Sequence, residues 1–366
     1  SEIFEGNPWL HFWMGVSCFP LNPSRSQSYL ERAFEQFKKR RDANGTFLAW
    51  SGLVDTIVFS SQEVKLLDRW IKELESRMDE YVQLSSEEIK PRVTNSMFIA
   101  LVLRQPQHPD MERWAEETLL VSLSLSNLAH HRMMTGELDK LASILYDLNQ
   151  LAEAPAASPL TQIRAKFSET VYYQAIGSHE QCMIVMKEAL KISKKTGIHV
   201  MDFWLWAYGA GSALNNGDFK TAEHLFDKIS AYSDRLTSWE LSVYHFLKAR
   251  EAMIRENLKQ ANVHVNLSLE LAEKVGTFQK RCWPLLLKAH LMHGLQKDKE
   301  ANEYLEQVFA IAQQTKSRLF NFYVNMTKAQ FSYDRGNPGD GLKLLRQALS
   351  LGQAQQYMNT FVDQPA

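Results

Sequence analysis

Cysteine is scarce in these 366 residues: Cys18, Cys182 and Cys282 are far apart and form no CxxC spacing. Three isolated thiols supply neither a disulfide framework nor a paired-cysteine zinc site, and a reduced, cytoplasmic setting is the simplest reading. Long apolar runs are missing too, so no segment reads as a bilayer-spanning helix. The opening SEIFEGNPWLHFW lacks the basic-then-apolar order of a secretory leader. It also begins without Met and reads as the start of an excised piece of a longer polypeptide. Neither charge sign is in surplus: 41 basic and 42 acidic residues leave a formal net charge of −1. A surface for nucleic acid normally carries a clear basic excess, and none is advertised here.

Motifs for chemistry are equally sparse. No Walker loop occurs. GNPGDG (336–341) is rich in glycine but lacks the Lys-Ser/Thr of a phosphate loop, and it falls on a repeated inter-helix turn. There is no HExxH. His179 and Cys182 form an isolated HxxC, with Cys182 at a small-residue position of its helix, where a core cysteine is expected. His130–His131 has no carboxylate partner placed by the sequence. No catalytic residue, metal site or cofactor is expected.

What the chain does have is helical periodicity, in pairs that recur. Second helices carry an anchor at Ala189, Ile229, Ser268, Val308 and Ala348, at steps of 40, 39, 40 and 40 residues. First helices carry a stripe of small residues, Ala129, Thr170, Ala210, Ala249, Ala289 and Ala329, which lets neighbouring helices approach closely. Glycines at 136, 177, 217 and 336 sit where first helices end, suited to the left-handed backbone that follows a helix. Ser178, Asp218, Asn257 and Asn337 come next as expected N-caps, Ser178 with Gln181 in capping-box spacing. Lys297 breaks the series, and Asp298 is the expected cap one residue later.

The unit resembles a tetratricopeptide repeat lengthened to about 40 residues. The fold expected is an all-α superhelical array of antiparallel helix pairs. Residues 1–153 form an irregular sub-array, with pairs near 8–40, 46–82, 86–123 and 124–153 and anchors at Ala33, Leu74, Thr118 and Leu148. Residues 154–366 form the regular repeats, and AEAPAASP (152–159) is read as a joint within one solenoid. The aromatics Trp9, Phe12, Trp13, Phe19, Trp50 and Phe59 gather near the start, where an array edge needs a cap or neighbour.

Aligned on the small-residue stripe, several first-helix positions fall on the expected concave face. Arg164, Trp204, Trp283 and Tyr323 lie six residues before it, and Phe167 and Phe246 three before. Arg250, His290 and Gln330 lie one after, and His293 and Tyr333 four after. Aromatic faces with a few polar partners suit sugars, planar small molecules or an apolar peptide. The competing reading is that helical-spaced aromatics simply pack between helices.

The segments NPWLHFWMGVSCFPLNPSRSQSYLERAFEQF (7–37), TFLAWSGLVD (46–55), MFIALVLRQPQHPDMERWAEE (97–117) and DGLKLLRQALSLGQAQQYMNTF (340–361) resemble the helical-repeat region of MalT-like regulators. These are large bacterial, ATP-binding transcriptional activators, some of which end in a bacterial transcriptional activator domain. The resemblance runs along nearly the whole chain and implies a sensor region. Its partners would be a small-molecule inducer or a regulatory protein or peptide, together with ATP-binding switch and DNA-binding domains of the same polypeptide. Self-association is implied as well; membrane contact and direct nucleic-acid binding are not. Two other classes compete: a peptide-binding adaptor or co-chaperone of tetratricopeptide type, and an all-α enzyme. A basic carboxylate clamp would mark the first, and a cluster of perturbed acids or histidines the second.

Overall fold

A computed structural model describes residues 6–19, 22–60, 64–84, 86–118, 122–277, 279–355 and 357. Among the described residues there are nineteen α-helices and no strand. No helix among them is long and apolar enough to cross a membrane. The chain divides into two compact units, residues 1–124 with 274–277, and residues 125–273 with 278–366.

The first unit holds α1 (Pro8–Cys18), α2 (Pro23–Lys39), α3 (Ala43–Ser60), α4 (Leu67–Glu75), α5 (Met78–Val82), α6 (Ile89–Arg104) and α7 (Met111–Glu117). Helices α1 and α2 start alike. Asn7 accepts from the Trp9 amide and Asn22 from the Arg25 amide, each with proline in the first turn. The core is aromatic: Phe34, Phe37, Phe47, Trp50, Trp70, Phe98 and Trp114 are buried. The Trp50 indole N–H is satisfied by the Trp70 carbonyl at 2.8 Å, and the Tyr81 hydroxyl lies 2.7 Å from Thr94 Oγ1. Of the aromatics grouped near the start, Phe12 and Trp50 belong to this core, whereas Trp13 is 59% exposed. The Phe59 side chain and the end of the 340–361 block lie outside the described residues.

Helix α8 (Ser122–Thr135) leads into the second unit, followed by α9 (Leu138–Glu153), α10 (Pro159–Ala175), α11 (His179–Thr196), α12 (Asp202–Asn215) and α13 (Phe219–Ser230). Then come α14 (Ser238–Ile254), α15 (Leu258–Val275), α16 (Cys282–Gly294), α17 (Asp298–Gln314), α18 (Arg318–Asp334) and α19 (Pro338–Gln355). Tight turns join them as hairpins: α10 packs along α11, α12 along α13, α16 along α17, and α18 along α19. The stretch 152–159 lies inside this unit, with α9 packed on α10 across it.

The small-residue stripe and the anchors face inward, as their spacing requires. Ala210, Ala249, Ala289 and Thr170 are fully buried on first helices, and Ala189, Ser268, Val308 and Ala348 on second helices. Around them Met186, Leu205, Leu214, Leu225, Phe226 and Leu247 make up a continuous core across α11 to α14.

One turn geometry closes all six first-helix turns of the second unit, and it recurs at Arg41–Asp42 and Lys316–Ser317. In each of those six hairpins, two successive amides after the first helix bond back to carbonyls three and five residues earlier. Gly217 N–H to Leu214 O at 3.2 Å and Asp218 N–H to Ala213 O at 2.9 Å form one such pair. Gln296 N–H to His293 O at 2.8 Å and Lys297 N–H to Met292 O at 2.9 Å form another. The first of the two residues is left-handed every time: Gly136, Gly177, Gly217, Glu256, Gln296 and Gly336. Two repeats therefore use a non-glycine residue where the backbone favours glycine.

The caps differ from expectation at two places. Ser178 makes no side-chain cap, so its capping box with Gln181 does not form. Helix α17 starts after Lys297 without a side-chain cap, because the Asp298 carboxylate is engaged by His293 and Arg335. Asp218 and Asn257 do cap, accepting from the Thr221 and Gln260 amides at 3.1 and 3.2 Å. A full capping box forms instead at Thr237 and Glu240, ahead of α14.

Candidate functional site

The expected aromatic positions lie near the N-terminal ends of first helices and fall into two clusters. In the first, Trp283 at the start of α16 meets Phe246 of α14 at 6.4 Å between ring centroids. It also meets Tyr323 and Phe320 of α18 at 4.9 and 5.2 Å. Three successive repeats are thus joined through one indole. In the second, Trp204 at the start of α12 stands edge-on to Phe203 at 5.0 Å and to Trp239 of α14 at 4.7 Å.

Burial separates these residues. Trp204, Phe246 and Phe167 are half-buried, packed on the core with part of each ring open. Trp283 is half-buried too. Tyr323 is only 4% exposed and His290 only 9%, so both belong to helix packing rather than to an open face. The His290 Nε2 lies 3.2 Å from Thr327 Oγ1. Burial first, then the charge of His293, pushes the His290 pKa down to about 4, against a smaller pull from Asp334.

The polar positions are largely committed to neighbours. Arg250 donates to Asn215 Oδ1 at 2.6 Å and lies over the Phe246 ring. His293 stacks on Phe331 at 3.9 Å and bridges Asp298 at 2.6 Å and Asp334 at 3.0 Å. That bridge ties α16, α17 and α18 together. Arg164 and Gln330 are half-buried, and Tyr333 is 42% exposed at the far end of α18. The eleven positions thus divide among two aromatic clusters, an inter-repeat polar network and separate helix surfaces.

The remaining sequence candidates take structural places. Cys182 is buried, its thiol pushed up to about 11 by burial. His179 Nδ1 sits 3.0 Å from the Ser212 hydroxyl, and Gly336 makes an ordinary hairpin turn. Among the described residues no group of three or more His, Cys, Asp or Glu side chains could hold a metal ion.

Sequence reasoning passed over Lys280, Trp239 and Tyr208. Lys280 lies over the Trp239 ring, its ammonium nitrogen shielded from solvent. Burial, then the charges of Lys280 and His131, push the His130 pKa down to about 3. Burial alone pushes Tyr208 up to about 12. No motif flags Lys280 or Trp239, because the chain brings them together from the 279–281 turn and α14, and Tyr208 stands on α12 against Phe167. What the arrangement offers is recognition: aromatic edges and faces with a few cations nearby.

No family model matches this chain, and no curated protein matches it.

Proposed function

We propose that this chain is the ligand- or protein-sensing region of a bacterial transcriptional regulator of MalT-like type, built as a tetratricopeptide-like superhelix. The observation that carries the reading is the Phe246–Trp283–Tyr323 contact chain, which links three successive repeats through a half-buried indole. A ligand seated on Trp283 touches three repeats at once. Such a ligand favours one packing of those repeats over another. It shifts the array only by its differential affinity for the two shapes. In a longer polypeptide carrying switch and DNA-binding domains, that shift is what governs activation and self-association. The resemblance of the quoted segments supports the regulator part of the reading; the aromatic clusters support the binding part.

The test is a thermal-shift screen of sugars and small metabolites. A ligand that binds only the folded chain at a hundred times its Kd stabilises it by about 2.7 kcal/mol, enough to read as a clear shift. A compound that stabilises the wild-type chain but not Trp283→Ala supports the reading. Equal stabilisation of the two would place its site elsewhere.

A further inference from the structure

The short 279–281 turn ahead of α16 carries two adjacent cations, Lys280 and Arg281. The Lys280 ammonium nitrogen is shielded from solvent and has no hydrogen-bond partner, and Arg281 Nε is in the same condition. Among the described residues neither side chain has a carboxylate within ion-pair reach. The contrast with Lys288 on the next helix is direct. Lys288 is buried, and its ammonium donates to Asn262 Oδ1 at 2.6 Å and Asn266 Oδ1 at 2.8 Å.

The surroundings of Lys280 are aromatic. Its nitrogen sits over Trp239, which meets Trp204 edge-on at 4.7 Å. A cation over an indole recovers part of the cost of its desolvation. Burying an unpaired ammonium costs more than that, so the ring alone does not compensate. A carboxylate supplies both missing things, the countercharge and strong acceptors. Indole walls suit a flat apolar body behind it.

We propose that the corner formed by Lys280, Trp239 and Trp204 binds a small aromatic carboxylic acid, its carboxylate on the Lys280 ammonium and its ring against the two indoles. The assignment rests on the ligand-sensing reading above and names the class of ligand. Burial pushes the Lys280 amine below its usual range, and a carboxylate seated on it opposes that shift.

Isothermal titration calorimetry on the intact chain tests this, with benzoate, benzamide and inorganic phosphate as probes. Benzoate should bind at least about tenfold more tightly than either of the others, a difference of about 1.4 kcal/mol. Lys280→Met should erase that preference while far-UV circular dichroism stays unchanged. The wild-type comparison stands by itself if the variant does not fold. Equal affinity for benzoate and benzamide, no benzoate binding, or phosphate binding in its place each overturns the assignment. A neutral metabolite that stabilises the chain through Trp283 while benzoate does not bind sinks the Lys280 site and leaves the sensing reading intact. Benzoate binding through Lys280 without any response of the repeats in hydrogen exchange supports the site and removes the sensing role.

Discussion

The Ser317 hydroxyl donates to the Met134 carbonyl at 2.8 Å, across 183 residues of chain. The bond joins the turn before α18 to the end of α8, so the last hairpin of the second unit rests on its first. The Tyr357 hydroxyl adds a second tie, donating to the Gly136 carbonyl. With its amide oriented to suit its neighbours, Gln355 donates to Asp139 Oδ1 at 2.9 Å and accepts from Arg318 at 3.0 Å. A row of repeats in which only neighbours touch leaves its two ends apart; here they are stapled. Ser317→Ala should destabilise the chain by about 1–2 kcal/mol, since it strands a carbonyl at a buried seam. Tyr357→Phe should do the same, and the two changes should couple by about 0.5 kcal/mol or more because they act on one seam. Urea unfolding of the two single variants and the double variant measures all three quantities.

Gly136 and Gly217 hold the same turn conformation, with φ of 80° and 71°, but different surroundings. A Cβ on Gly136 would lie 2.7 Å from the Leu319 amide and collide with the Tyr357 hydroxyl, whereas one on Gly217 meets nothing within 4 Å. Gly217→Ala should therefore cost only the left-handed backbone penalty, about 1–2 kcal/mol. Gly136→Ala should cost clearly more, since it also pries open the seam. Thermal midpoints of the two variants, measured together, give the comparison.

Glu256 and Gln296 occupy that turn position in two repeats, with φ of 59° and 60°. Each accepts strain that glycine avoids, partly offset by the entropy glycine loses on folding. Glu256→Gly and Gln296→Gly should each stabilise by about 0.5–1 kcal/mol, and the gains should add because the turns are in separate repeats. Chemical denaturation checks this, and a loss of stability in both would contradict the shared turn geometry.

His290 makes stability depend on pH. The group facing it most directly is Thr327, with His293 and Asp334 the charged neighbours. Its folded pKa of about 4 lies below the ordinary histidine value of about 6.5. The unfolded chain therefore binds the proton more readily, and stability falls as pH drops from about 6.5 toward about 4. The shift corresponds to a loss on the order of 3 kcal/mol across that window. His130 and the mutually close His245 and His264 are depressed in the same direction and add to the slope. His290→Gln should lose less stability than the wild type between about pH 7 and about pH 5, read from urea midpoints. An unchanged slope would place the proton-linked loss at the other histidines.

Much of the second unit was legible from spacing alone. Ala210, Ala249 and Ala289 recur at the helix-pair period because small side chains are needed where helices cross closely, and all three are fully buried. Asp218 and Asn257 were readable as caps because capping is local chemistry. Ser178 fails at the same position, since a favourable residue type does not fix where its hydroxyl points. Glu256 and Gln296 were not readable as left-handed residues, because tertiary packing of six like hairpins imposes the turn against local preference. The site was less legible than the fold. Tyr323 and Trp283 share one alignment position, yet one is buried and the other half-buried. Lys280 carries no motif at all, and only the fold brings it over Trp239.

The most direct test of the central claim, that the first-helix aromatics form a ligand-sensing surface, is isothermal titration of the best stabilising compound from the screen into wild-type chain and Trp283→Ala. Affinity should be at least about tenfold weaker in the variant, with helicity preserved by circular dichroism. Equal affinity in the two chains, with helicity intact, would contradict it.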